Sequence, residues 1–436
     1  MKRNIHSWLV APLFLGVGLR LWADPQITSW FTVDTGQFAR IYRTDADKRS
    51  GRTEVTWGNG RLNQVQPVEC GVQGIYSSSN WIYVRSTGLG SQVMGPWYND
   101  LQRQYLFPNL PVDQHLTFAF PRHRVASTVA RLTTLGAIGL GVDGVEIFDS
   151  RDAFSYSHAA GRDGDPRAGI GQGDHIWNRN AYVLEGKTFD PAYAHQPQFG
   201  AYHYHAEPIA LRYLLGDHVD MDAATKTYHE SSNPPTRHSP ILGWLRDGYP
   251  LYGPYGYSDP TNPASGIRRM VSGYVLRDGR NGADNLALTG RKVLPAWDAR
   301  EHNRSTTLVN FQTGPSVSSW YQMGHYIEDY AYLGDLGKAQ GKDFDLDEMN
   351  GRWCVTPEFP QGTYAYFTTI DADGQPVYPY TVGRRFHGNP VGCLVRRIGE
   401  PVVNNFVAQA SAPVAPAAAG ARTLTWNSGT GEYDSQ

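Results

Sequence analysis

Short runs in which apolar and polar residues alternate, punctuated by glycines, fill residues 24–135; Trp30–Tyr42 and Asn80–Arg85 are examples. Successive side chains of a strand point to opposite faces, so this alternation predicts strands at close spacing, the signature of a sandwich or barrel. Helical patterns are few. Pro208–Leu215, with proline near its start, and Tyr326–Leu333 are the candidates. Ser231–Pro240 holds three prolines and reads as a loop, and Pro401–Gly420 turns into an Ala/Pro/Val run that reads as a linker. The expected fold is mainly β: a large β-sandwich, or two related β-sandwich halves, with few short helices.

The pattern also repeats. Gly139–Phe148 aligns with Gly243–Tyr252, each a strand, an Asp-Gly turn (Asp143-Gly144, Asp247-Gly248) and a second strand. Gly200-Ala201-Tyr202-His203-Tyr204-His205 aligns with Gly362-Thr363-Tyr364-Ala365-Tyr366-Phe367. The order along the chain is hairpin, G-x-Y-x-Y strand, hairpin, G-x-Y-x-Y strand, which predicts an internal duplication dividing at about 24–215 and 216–400. Because the tyrosines persist and the histidines do not, the tyrosines read as structural and the histidines as specific to the first copy. Residues 401–436 are then an Ala/Pro-rich linker and C-terminal tail.

Composition fits this reading: Tyr is the most numerous aromatic residue at 26, beside 47 Gly and 28 Pro, as in a turn-rich β protein. Lys2 and Arg3 precede an apolar stretch, Trp8–Leu19, and Leu21-Trp22-Ala23 places a small residue at a cleavage position. This is the layout of a signal peptide over residues 1–23, too short to span a bilayer. No later segment is long and apolar enough for a membrane span. The formal charge of −2, with no basic run, argues against nucleic acid. Export permits one disulfide among Cys70, Cys354 and Cys393, and Cys354–Cys393 is the expected pair, leaving Cys70 over.

Candidate chemistry concentrates in Tyr202–Glu207. On a strand, His203 and His205 project from one face as a chelating pair, with Tyr202 and Tyr204 on the other. Imidazole suits copper or zinc. His195 is the expected third ligand, and His175 lies further upstream. Glu185, Asp190 or Glu207 is expected to be a fourth donor or to orient an imidazole N–H. Asp247 reads as a turn residue, and the run Asp343–Glu348 as a solvated acidic loop rather than a calcium site. Nucleophile elbows, H-E-x-x-H, EF-hand and Walker strings are absent.

Gly200–His205, Trp177–Tyr182, Asp247–Gly253 and Thr356–Tyr364 together resemble the bacterial YHYH-domain proteins, over about residues 140–393. The resemblance implies a secreted β-rich domain of surface or periplasmic proteins and supplies no activity. The residues support a secreted or periplasmic metal-binding protein. The alternatives are a metal-dependent enzyme, oxidative or hydrolytic, acting on an extracellular polymer, and a carbohydrate-binding or adhesion module built on exposed aromatic rings.

Overall fold

Two Asp-Gly turns organise the largest sheet. Gly144 and Gly248 adopt φ of 82° and 80°, a region open to glycine, and the preceding aspartate accepts the N–H of Val145 or Tyr249. The computed structural model describes residues 24–31, 37–58 and 62–408, with the backbone of 424–427 and 432–435. The expected signal peptide, residues 1–23, lies outside the described residues.

The turns join β1 (Ala137–Gly141) to β2 (Glu146–Phe148) and β5 (Ile241–Leu245) to β6 (Pro250–Tyr252). β3 (Ala194–His195) and β4 (His203–Tyr204) extend the first hairpin, and β7 (Gly351–Cys354) and β8 (Thr363–Phe367) the second. The eight strands lie in the order β3-β4-β2-β1-β5-β6-β8-β7. From either end the sequence of pairings is the same: an outer strand antiparallel to an inner one, which runs parallel to the second strand of a hairpin. Registers match as well, with Tyr204 opposite Ile147 and Tyr366 opposite Leu251. Gly139 faces Leu245 and Gly141 faces Gly243 where the hairpins meet.

The tyrosines explain why this motif holds its shape twice. The Tyr204 hydroxyl donates to Asp143 Oδ2 at 2.8 Å, and the Tyr366 hydroxyl to Asp247 Oδ2 at 2.7 Å. A second pair is equally matched: Tyr202 donates to Asp190 at 2.7 Å and Tyr364 to Asp347 at 2.9 Å. Each of these buried hydroxyls thereby ties its inner strand to a turn. Asp190 and Asp347 open equivalent bends, with their own N–H groups bonded to Ala194 and Gly351 carbonyls and with Tyr193 and Asn350 at φ of 62° and 66°.

A five-stranded sheet (Cys393–Leu394, Leu116–Pro121, Trp81–Ser86, Val72–Ser77, Val403–Val407, in that order) shares a buried cluster with the large sheet. Val84, Phe118 and Phe120 meet Leu140, Trp244 and Phe367 there. Burial of such side chains contributes roughly 1.5–3 kcal/mol each. The fold is mainly β with few short helices.

Several expectations change. Val403–Val407 is a strand beside Val72–Ser77 and not linker, because its edge pairing satisfies backbone groups that a linker would leave to water. Residues 385–407 pair with strands between 72 and 132, so the repeat lives inside one sheet and no separable halves divide near 215. Trp30–Tyr42 is no continuous strand; in its described part Phe38 and Ile41 make isolated bridges. The second helix candidate breaks into a 3-10 turn, Ile327–Asp329, and a short strand. The three cysteines are free: Cys354 is buried in the core, whereas Cys393 is exposed on the other sheet. Asp345 and Glu348 are buried in ion pairs with Arg268 and Arg300 and form no solvated loop.

Candidate metal centre

His203 and His205 leave the same face of β4 because side chains alternate, and Tyr202 and Tyr204 take the other face into a separate buried cluster. Antiparallel pairing of β3 sets His195 directly opposite His203. α1 (Ala181–Glu185) ends at Glu185, and the 3-10 turn Gly186–Thr188 follows. This short helix is anchored by the run before it: Asn178 bonds the buried Glu328 carboxylate through both N–H and side-chain amide, and Asn180 bonds the Tyr380 hydroxyl. The Trp177–Tyr182 segment is therefore the mount that brings Glu185 to the histidines.

The three imidazoles offer ligand atoms within 4.8 Å of one another. His203 Nε2 and His205 Nε2 are 3.0 Å apart, and Glu185 Oε2 stands 3.3 Å from His205 Nε2 and 3.5 Å from His195 Nε2. With metal–nitrogen bonds of ~2.0–2.1 Å, a chord of that length subtends roughly 90–100° at an ion.

The partners of the other ring nitrogens fix which nitrogen is free. His203 Nδ1 faces the Ala201 carbonyl at 2.8 Å and His205 Nδ1 the Asp149 carbonyl at 2.7 Å; carbonyls only accept, so both Nδ1 atoms carry hydrogen. The Thr188 hydroxyl donates to the Glu185 carbonyl at 2.7 Å and so accepts from His195 Nδ1, also at 2.7 Å. In the neutral rings all three Nε2 lone pairs point into one space, beside a carboxylate oxygen that is itself buried without a hydrogen-bond partner. While the rings are neutral, four acceptors face one another with no donor, an arrangement that a metal ion, or a proton on His205, resolves.

Electrostatics favour the ligating form of two of the three rings. Burial pushes His195 down to about 4 and His203 well below the usual imidazole range, keeping both neutral and able to ligate. Burial also opposes charge on His205, but the Glu185 carboxylate outweighs it and raises His205. Burial acts against the charge on Glu185 too, and the facing His205 and His195 overcome it and hold its carboxyl low. Phe148 stacks on His203 with ring centroids 3.8 Å apart, and Phe189 packs edge-on against His195 at 4.9 Å. These rings fix the imidazoles and limit water.

Of the expected residues, His195, His203, His205 and Glu185 come together. Glu207 does not: it is engaged by Arg212 at 2.6 Å, in a buried ion pair that Asp217 and Glu230 share. Asp190 is taken by Tyr202 and by three backbone N–H groups. His175 is exposed and outside the cluster. Sequence reasoning missed Thr188 and Asp149, which act through a hydroxyl and a carbonyl that leave no spacing pattern. It also missed Asp152, which shares Arg179 with the wall of the site and is pushed up to about 7 by burial.

A family model described as "YHYH protein" matches residues 117–379, more than half of the chain. No curated protein and no solved structure matches it.

Proposed function

This chain belongs to the YHYH protein family, a name that fixes no reaction, and we propose from its site that it is a secreted or periplasmic protein binding one copper or zinc ion. His195, His203 and His205 would be the ligands and Glu185 the fourth donor. The observation that carries this reading is the convergence of three Nε2 lone pairs whose opposite nitrogens are all committed to acceptors. Imidazole donors suit either metal, and three of them with one further position match the make-up of catalytic zinc and tetragonal copper sites alike.

Metal analysis of the purified protein tests this directly. One equivalent of copper or zinc is expected in wild type, and His203→Ala should carry close to none while staying folded. An ion that binds only the folded state stabilises it by roughly 4 kcal/mol at a thousandfold excess over Kd, so excess metal should raise the wild-type melting temperature alone. Equal metal content and equal melting of the two proteins would end the reading. Export is tested separately: N-terminal sequencing of the exported protein should begin at Asp24.

A second reading, a metal-dependent enzyme, draws on one feature. The His195 and His205 side chains are 8% and 5% exposed, whereas Glu185 is 28% exposed and lines a neighbouring groove while its Oε2 stays buried against the imidazoles, so the carboxylate is the site's link to the surface. A storage site would gain from closure there, and a catalytic one needs that link.

A further inference from the structure

A groove of about 1230 Å³ lies beside the histidines, and Glu185 belongs to both. Side chains of a three-stranded sheet (Arg162–Asp163, Arg151–Ser157, Asn178–Asn180) line it, with Pro197–Phe199 and Trp320–Tyr321 completing the walls. Two of its aromatic rings face solvent: Trp320 is 84% exposed and Phe199 56% exposed. Among the described residues the Trp320 indole has no hydrogen-bond or ring partner.

The polar lining is mixed and partly prearranged. Asp163 is held by the Tyr326 hydroxyl at 2.6 Å and by His325 Nε2 at 2.8 Å. Arg179 pairs with Asp152 at 2.8 Å, and its Nε is buried with no hydrogen-bond partner. Arg162 and Arg167 are exposed and have no ion-pair partner among the described residues. Arg162, Arg167 and Arg179 are matched in number by Asp163, Asp165 and Glu185.

This balance discriminates between ligands. A nucleic acid or sulfated polymer needs net positive charge, which the groove lacks. An apolar ligand would strand the carboxylates and guanidinium groups. A sugar ring has an apolar C–H face for an indole and hydroxyls that both donate and accept, which suits paired aspartate and arginine groups.

We propose that this groove binds a chain of neutral sugar residues, with one ring stacked on Trp320 and the end of the chain meeting the ion at Glu185. The position of that end rests on the metal reading; the binding itself does not.

Calorimetric titration of the full secreted chain with neutral hexasaccharides (β-glucan, xylan, mannan and chitin fragments), with and without EDTA, tests it. At least one should bind, with EDTA present or absent, and Trp320→Ala should weaken that binding by about tenfold or more. Trp320 is exposed, so the variant keeps its fold, which circular dichroism checks. Arg162→Ala should give a smaller loss in the same direction. The proposal fails if none of the four binds, if heparin or single-stranded DNA binds instead, or if Trp320→Ala binds as wild type. Sugar binding with no metal binding sinks the metal centre alone, and metal binding with no sugar binding sinks the groove alone.

Discussion

β4 and β8 occupy equivalent places in one sheet, carry the same tyrosines, and differ in what they show on the opposite face. In β4 and the residue after it that face presents His203 and His205; in β8 it presents Ala365 and Phe367, which join the core between the two sheets. Pairing extends the contrast to the outer strands, where His195 opposite His203 corresponds to Arg352 opposite Ala365. The tyrosine–aspartate ties recur in both copies and the imidazoles in one. The scaffold therefore does not need the histidines, and the histidines use a strand that the tyrosines already hold in place.

The strongest test of that contrast copies one side onto the other. His203→Ala with His205→Phe gives β4 the residues that β8 carries. Loss of two imidazole ligands should weaken copper or zinc binding by at least about a thousandfold, since each ligand contributes strongly to such sites. Without added metal, unfolding should shift by less than about 1 kcal/mol, because the replaced side chains already suit this register in the other copy. Metal binding that survives the double change would remove the histidines from the site. A collapse of the metal-free fold would show that the two strands are not interchangeable.

A smaller effect is expected from Glu185→Gln. The amide keeps the size and loses the charge, and loss of an orienting or weakly ligating carboxylate costs about 10–100-fold in metal affinity. Glu207→Gln tests the alternative carboxylate; it should leave metal affinity unchanged, because Arg212 holds that carboxylate. Dialysis against competing chelators reads both, and a larger effect at Glu207 would reverse the assignment.

That pair of glutamates marks where the sequence stopped being legible. The histidine pair, the repeat of hairpin and G-x-Y-x-Y strand, and the structural tyrosines all rest on a period of two, which a strand imposes regardless of its surroundings. His195 was legible as a nearby imidazole, though its pairing with His203 came only with the sheet. Choosing between Glu185 and Glu207 needed tertiary knowledge: Glu207 is closer in sequence but lies within reach of Arg212, five residues on in α2 (Ile209–Leu214). The Asp190/Asp347 echo stayed hidden because the residues around the two aspartates differ and only backbone hydrogen bonds show the likeness.

The ties themselves come next in size. Tyr204→Phe and Tyr366→Phe each remove one donor from a buried aspartate while leaving the ring packed. The cost should be about 1–3 kcal/mol in each case and equal between the two to within about 0.5 kcal/mol. Urea unfolding of the metal-free proteins measures both. The hydroxyl–carboxylate distances are 2.8 Å and 2.7 Å, so unequal losses would be traced to the second bond each hydroxyl accepts, from Gln92 Nε2 at 3.3 Å on Tyr204 and from the His387 N–H at 2.6 Å on Tyr366.

The last and most discriminating effect concerns pH. Burial pushes the Asp143 and Asp247 carboxyls up to about 6 from 3.8, against the opposing hydrogen bonds of Tyr204 and Tyr366. A carboxyl whose native value lies above its unfolded one contributes stability that is complete below the unfolded value. That contribution is lost as pH rises through the native value, here between about 4 and 6. Asp143→Asn and Asp247→Asn remove this titration, so each variant should lose less stability than wild type as pH is raised across that window. The shift corresponds to a slope change on the order of 1–3 kcal/mol over the window. His195, which burial lowers to about 4, acts in the opposite sense there, losing stability as pH falls, but it is common to both variants and cancels between them. Unfolding midpoints of metal-free protein at several pH values from 4 to 6.5 would therefore compare the two copies alone. Parallel slopes for the two variants make the aspartates one device used twice; a slope that moves in only one of them breaks the equivalence of the copies at its most buried charge.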